Sequence, residues 1–168
     1  TMFINNVIYQ NNNNFNAAYG VYNRSSYNWK YHHNNFISTT QSTSTNGSAL
    51  YISGLAYGVE LFNNNIVAQN GGYLMYNSAT TMTAGDIDNN NWYSSSFRVY
   101  HGAYYYTLGS WQAGKSSDNQ NSVSVDPYFV GSEDFHASSY YLMNAGANLG
   151  VSTDFDGEMR NASMPDIG

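Results

Sequence analysis

Short alternations of apolar and polar residues return along this chain at a nearly constant interval. One series places tyrosine after an apolar residue: Val21-Tyr22, Leu50-Tyr51, Met75-Tyr76 and Val99-Tyr100, at steps of 29, 25 and 24 residues. A second series sets asparagines before an apolar pair. It reads Asn5-Asn6-Val7-Ile8, Asn34-Asn35-Phe36-Ile37, Asn64-Asn65-Ile66-Val67 and Asn90-Asn91-Trp92-Tyr93. Taking Asn5, Asn34, Asn64 and Asn90 as equivalent gives steps of 29, 30 and 26 residues. Between the two series lie further strand-like segments: Trp29-Lys30-Tyr31, Val59-Glu60-Leu61-Phe62 and Asp86-Ile87-Asp88. Self-similarity at this period is the signature of a solenoid, in which each repeat buries its apolar face only against its neighbours.

Each repeat thus predicts three short strands. One carries the apolar-Tyr pair, one precedes the asparagines and one follows them. The expected fold is all-β: a right-handed parallel β-helix with three strands per coil, about four coils and a C-terminal cap. Strand parity sends Val21, Leu50, Met75 and Val99 inward. Tyr22, Tyr51, Tyr76 and Tyr100 then form an outward stripe, joined on that face by Arg24 and Arg98. Such a stripe either stabilises the sheet by stacking or offers a flat platform to sugar rings or a protein partner. The asparagines mark a tight turn. Asn tolerates positive φ better than most non-glycine residues. Asn5, Asn34, Asn64 and Asn90 are therefore expected at positive φ, with their amides hydrogen-bonded from coil to coil as a structural ladder.

Composition sharpens the picture. Only 10% of the 168 residues are charged, while 17 are Tyr, so Tyr, Asn, Ser and Gly provide the polar surface. Disordered chains are poor in aromatics, which argues against disorder. The net charge is −6 with only 5 Lys and Arg, which speaks against nucleic-acid binding. No apolar run reaches membrane-spanning length. Cysteine is absent, which removes disulfides and thiolate metal sites.

The repeat text gives way after Tyr106. Thr107–Gly114 predicts one short helical turn anchored by Trp111. Residues 1–125 are expected to form the coils, and residues 126–168 the last coil and cap of the same domain. The tail reads Asp126-Pro127-Tyr128-Phe129, Asp134-Phe135-His136, Asn144-Ala145-Gly146, Thr153-Asp154-Phe155-Asp156-Gly157, Arg160 and Pro165-Asp166-Ile167-Gly168. It resembles the C-terminal end of secreted right-handed parallel β-helix repeat proteins of the pectate-lyase-like superfamily, of the type abundant in Bacteroidota. The resemblance implies a bacterial extracellular or cell-surface location and a fragment of a larger protein.

That superfamily includes polysaccharide lyases and hydrolases, whose chemistry needs convergent groups. Arg24 and Arg98 lie three coils apart, about 14 Å at one strand spacing per coil, too far for one reacting centre. Asp86 and Asp88 form the only acidic pair within the coils, and they read as solvated turn-edge carboxylates. Asp154–Gly157 lacks the further ligands of a calcium loop. No catalytic residue, metal or cofactor is assigned. The leading expectation is a non-catalytic extracellular module, a stalk or adhesive unit whose partners are polysaccharide, another surface protein, or further coils of the same polypeptide. The alternative is a carbohydrate-binding protein, or a lyase or hydrolase whose active coils lie N-terminal to this segment.

Overall fold

The computed structural model describes residues 1–11, 18–40, 47–79 and 85–168. It is all-β, with three parallel sheets whose strands stack in chain order. The first sheet contains β1 (Met2–Ile4), β4 (Lys30–His32), β7 (Glu60–Phe62) and β10 (Ile87–Asp88). The second contains β2 (Val7–Gln10), β5 (Asn35–Ser38), β8 (Asn65–Ala68) and β11 (Asn91–Ser94). The third contains β3 (Ala18–Arg24), β6 (Gly47–Ser53), β9 (Tyr73–Asn77), β12 (Val99–His101) and β13 (Tyr104–Tyr105). We call one passage through the three sheets a coil. The arrangement is consistent with a β-helix solenoid.

Three inward columns fill the interior. They are Phe3, Tyr31, Leu61 and Ile87; Ile8, Phe36, Ile66 and Trp92; and Val21, Leu50, Met75 and Val99. The members from Tyr31 onward are fully buried, whereas Phe3, Ile8 and Val21 of the first coil are only partly so. Burial of such side chains is the main stabilising term, about 1.5–3 kcal/mol each.

The asparagine turn departs from the expected register by one residue. Positive φ falls on Asn5 (55°), His33 (54°), Asn63 (58°) and Asn89 (52°). The ladder is built by the residue that follows: Asn6, Asn34, Asn64 and Asn90. The Oδ1 of Asn34 accepts from the backbone N–H and the Nδ2 of Asn6, each at 3.0 Å. The pattern repeats from Asn34 to Asn64 and from Asn64 to Asn90. The Nδ2 groups of Asn34, Asn64 and Asn90 also reach back to the carbonyls of Phe3, Tyr31 and Leu61. Asn5 is thus a turn residue outside the ladder. Asn34, Asn64 and Asn90 are in the ladder but not at positive φ.

The far end of the stack closes before Asp126. Strand β13 folds back antiparallel on β12 and covers the edge of the third sheet. Helix α1 (Leu108–Gly114) follows, its N-cap Thr107 and Ser110 forming a reciprocal capping box. Its Trp111 is fully buried against Trp92, His101 and Tyr105. The Nε1 of Trp92 donates to Oδ1 of Asn119 at 2.7 Å, which ties the last loop to the core.

The segment expected as last coil and cap contains isolated bridges and one 3-10 turn, Tyr140–Leu142. It runs along the side of the stack, over the column of positive-φ residues. Asn89 donates to the Ala145 carbonyl, and Asn63 exchanges bonds with Ala147 in both directions. Asn5 donates to the Thr153 carbonyl and accepts from Arg160. The tail is a strap docked on one residue from each coil.

Candidate functional site

The tyrosine face is built by the third sheet. Parallel pairing puts Tyr22, Tyr51, Tyr76 and Tyr100 in one register. Their rings stack with centroid separations of 5.2, 5.5 and 4.7 Å and interplanar angles of 10°, 13° and 20°. The strand spacing sets this separation, so the sheet itself holds the rings at stacking distance.

The sequence did not reveal how far the face extends. Tyr19 and Tyr73 lie three residues before Tyr22 and Tyr76, and ideal alternation would turn them inward. Regular pairing lapses at Gly20, Ala49 and Leu74. At Gly20 the chains approach so closely that a Cβ would sit 2.6 Å from the Ala49 carbonyl oxygen. This irregularity swings Tyr19 against Tyr22 and Tyr51, and Tyr73 edge-on to Tyr76. Tyr104 joins from β13 against Tyr100. A Gly beside a ladder tyrosine was the one available signal.

Tyr22 and Tyr104, at opposite ends of the face, are each 51% exposed, while the middle rings are half-buried. Burial raises the phenol pKa values of Tyr19, Tyr73 and Tyr76, and the neighbouring phenols add to it. The phenols of Tyr19, Tyr73 and Tyr76 are therefore neutral at physiological pH, and the stacked rings present their edges along the sheet. Arg24 is exposed at the first coil, paired with Ser53, while Arg98 lies half-buried near Tyr73. The two arginines stand at opposite ends of the stack and do not converge. The strands β3, β6, β9 and β12 contain no Asp or Glu. Their one histidine, His101, points inward, is 5% exposed, and is pushed by burial down to about 4.

Several other titratable groups are tied into turns and loops. Asp88 accepts from Asn89 and from both N–H donors of Asn121. Asp154 Oδ1 accepts the backbone N–H of Asp156 and Glu158, closing a tail turn. His136 is held between Asp134, at 2.5 Å, and Asp156. These two carboxylates raise its pKa to about 9. It joins two stretches of the strap beside a cleft of about 450 Å³ walled by Phe135, Phe155 and Arg160. Beneath the strap His33 is buried, which lowers its pKa to about 3. Among the described residues no three His, Asp or Glu side chains gather as a metal site requires, and no helix is long and apolar enough to cross a membrane.

No family model matches this chain, and no match was found among curated proteins or solved structures.

Proposed function

We propose that this chain is a non-catalytic module of a secreted or cell-surface bacterial protein, a right-handed β-helix of the pectate-lyase-like kind that adheres through its tyrosine face. The observation that carries this reading is the in-register stack of Tyr22, Tyr51, Tyr76 and Tyr100. A stack of rings with aligned edges and hydroxyl rims suits a flat, uncharged partner. The strands beneath carry no acid–base pair to act on it, and hydrolysis of a glycoside needs two carboxylates on either side of the bond.

A second reading is favoured by the same rings. A polysaccharide lying along the face would lay sugar rings across the aligned aromatic edges and sugar hydroxyls on phenol hydroxyls. Under that reading any lyase or hydrolase chemistry belongs to coils beyond this segment.

The test is retention on immobilised bacterial and plant polysaccharides and on cell-surface extracts, with the Tyr51→Ser/Tyr76→Ser double variant as control. Retention that falls about tenfold or more in the variant, with the fold intact by circular dichroism, supports adhesion through this face. Equal retention of both proteins removes the face from the function. Depolymerisation of any polymer by the wild-type chain overturns the non-catalytic reading.

A further inference from the structure

The rings of the third sheet form one unbroken chain of phenol contacts. Tyr22, Tyr51, Tyr76 and Tyr100 stack rung on rung, and Tyr19, Tyr73 and Tyr104 pack against them at 4.8 to 5.5 Å. The closest stacked pair is Tyr76 and Tyr100, with centroids 4.7 Å apart and planes 20° from parallel. These two residues are register partners on β9 and β12. Both rings therefore leave the sheet from adjacent points and carry their hydroxyls in the same direction. Like atoms of the two phenols stand side by side, the carbons ortho to the hydroxyls among them.

The cluster also connects to solvent. Tyr22 and Tyr104, at its two ends, are each 51% exposed, and every ring between them touches the next. The Tyr76 hydroxyl is hydrogen-bonded with that of Tyr104, which leads its proton outward. The chain has no Cys, so no thiol competes with the phenols for a one-electron oxidant. The tail offers the opposite case. Tyr140 and Tyr141 are 81% and 69% exposed, yet their rings stand 6.2 Å apart at 74°. They are easier to reach and poorly aligned.

We propose that the tyrosine face is a site of oxidative modification, where a one-electron oxidant of the haem-peroxidase class joins Tyr76 to Tyr100 as dityrosine. Each phenol gives one electron to the oxidant and its hydroxyl proton to water. The two phenoxyl radicals then form a carbon–carbon bond between ortho carbons. Each of those carbons loses its hydrogen as a proton while the oxygen of the same ring regains one, which restores both phenols. Two electrons and two protons leave in all, and they reduce hydrogen peroxide to water. A radical formed at exposed Tyr22 or Tyr104 reaches the middle of the stack by transfer between touching phenols, since donor and acceptor are chemically alike. The sheet holds the coupling partners together before either is oxidised, which replaces a chance encounter with a fixed one. The new bond ties two successive coils to each other. Coupling needs no bound partner, so it stands apart from adhesion through the same rings.

The experiment treats the full chain with a haem peroxidase and hydrogen peroxide over a range of protein concentrations, then maps linked peptides by mass spectrometry. The expected major product is monomeric, lacks two hydrogens, and joins the peptides of Tyr76 and Tyr100. Its yield should not depend on protein concentration and should exceed the Tyr140–Tyr141 product by about tenfold, the advantage of a held geometry. Tyr100→Phe keeps the ring but removes the phenol, so the link should vanish, whereas Tyr141→Phe should leave it unchanged. Unfolding the wild-type chain in urea before oxidation should abolish the preference. Dityrosine found only between chains or only in the tail overturns the proposal. So does a ladder whose tyrosines are recovered unlinked, or a Tyr76–Tyr100 link formed equally well in urea.

Discussion

Two columns climb the same coils and meet opposite surroundings. The asparagine ladder is buried from Asn34 onward, and each interior side chain satisfies both neighbouring coils. The tyrosine ladder lies on the outside, and its rings pack against one another and against Tyr19, Tyr73 and Tyr104 at the edge of solvent. Both arise from one residue type repeated at one register, since parallel in-register stacking puts like on like. The difference is what each loses when a rung is removed. A buried amide leaves several polar groups without partners, whereas an exposed ring leaves a gap that water fills.

Replacing a rung in each column is therefore the most direct way to break the comparison. Asn64→Leu strands the Asn34 N–H and one Nδ2 hydrogen of Asn34 in the interior, and takes one donor from the Tyr31 carbonyl and one from the Asn90 Oδ1, which keeps the backbone N–H of residue 64. Each such group costs about 1–3 kcal/mol when left unmade, so the loss should be roughly 4 kcal/mol or more by denaturant unfolding. A loss below 1 kcal/mol would mean the ladder is decorative.

The next effect is pH. His33 and His101 have folded-state pKa values near 3 and 4, lowered by burial. A base whose pKa is lowered by folding is stable above its unfolded value of about 6.5 and loses stability as pH falls below it. Each contributes a slope of about 1.4 kcal/mol per pH unit in that range. Thermal melts from pH 7 to pH 4.5 should fall steeply. His33→Asn, which restores the residue found at Asn5, Asn63 and Asn89, should flatten that fall. An unchanged slope would place the acid sensitivity elsewhere.

On the outer column, Tyr51→Ala should cost only about 1–2 kcal/mol, because two stacked pairs are lost from a half-exposed site. The same change should weaken adhesion about tenfold, so stability and binding separate along this column as they do not along the inner one. Equal damage to both would make the tyrosines structural.

The smallest expected effect lies in the strap. The pKa of His136 is raised to about 9 by Asp134 and Asp156. The stability its ion pairs contribute is therefore fully present below the unfolded value of about 6.5, declines above it, and is lost as pH passes 9. Asp156→Asn should bring the midpoint of the His136 ring, followed by NMR, down toward 6.5 with little change in melting temperature. A midpoint unmoved by the substitution would show that Asp156 does not hold the ring.

The period, the three strands per repeat, the inward column of Val21, Leu50, Met75 and Val99 and the Trp111 anchor were legible in the sequence, because periodic burial leaves a periodic pattern. The exact asparagine register was not. Runs such as Asn63-Asn64-Asn65 and Asn89-Asn90-Asn91 offer no internal mark of which residue turns and which bridges, and at the turn position one coil uses His33. The reach of the tyrosine face was hidden by the irregular pairing around Gly20. The path of the strap was hidden for a deeper reason. Its contacts join single tail residues to single turn residues far away in sequence, and no repeat announces them.

That strap changes how the molecule should come apart. A bare stack of coils behaves like a zipper, with each coil bound only to its neighbours and free to fray from an end. Asn5 is bonded to Thr153 and Arg160, separations of 148 and 155 residues, while the ladder bonds span 26 to 30. Such distant closures form late, after the local stacking they join. Once formed, they fasten the first coil and the last to the same segment, so neither end can leave without releasing the other. The result expected is a single sharp unfolding transition from an architecture that would otherwise melt by degrees.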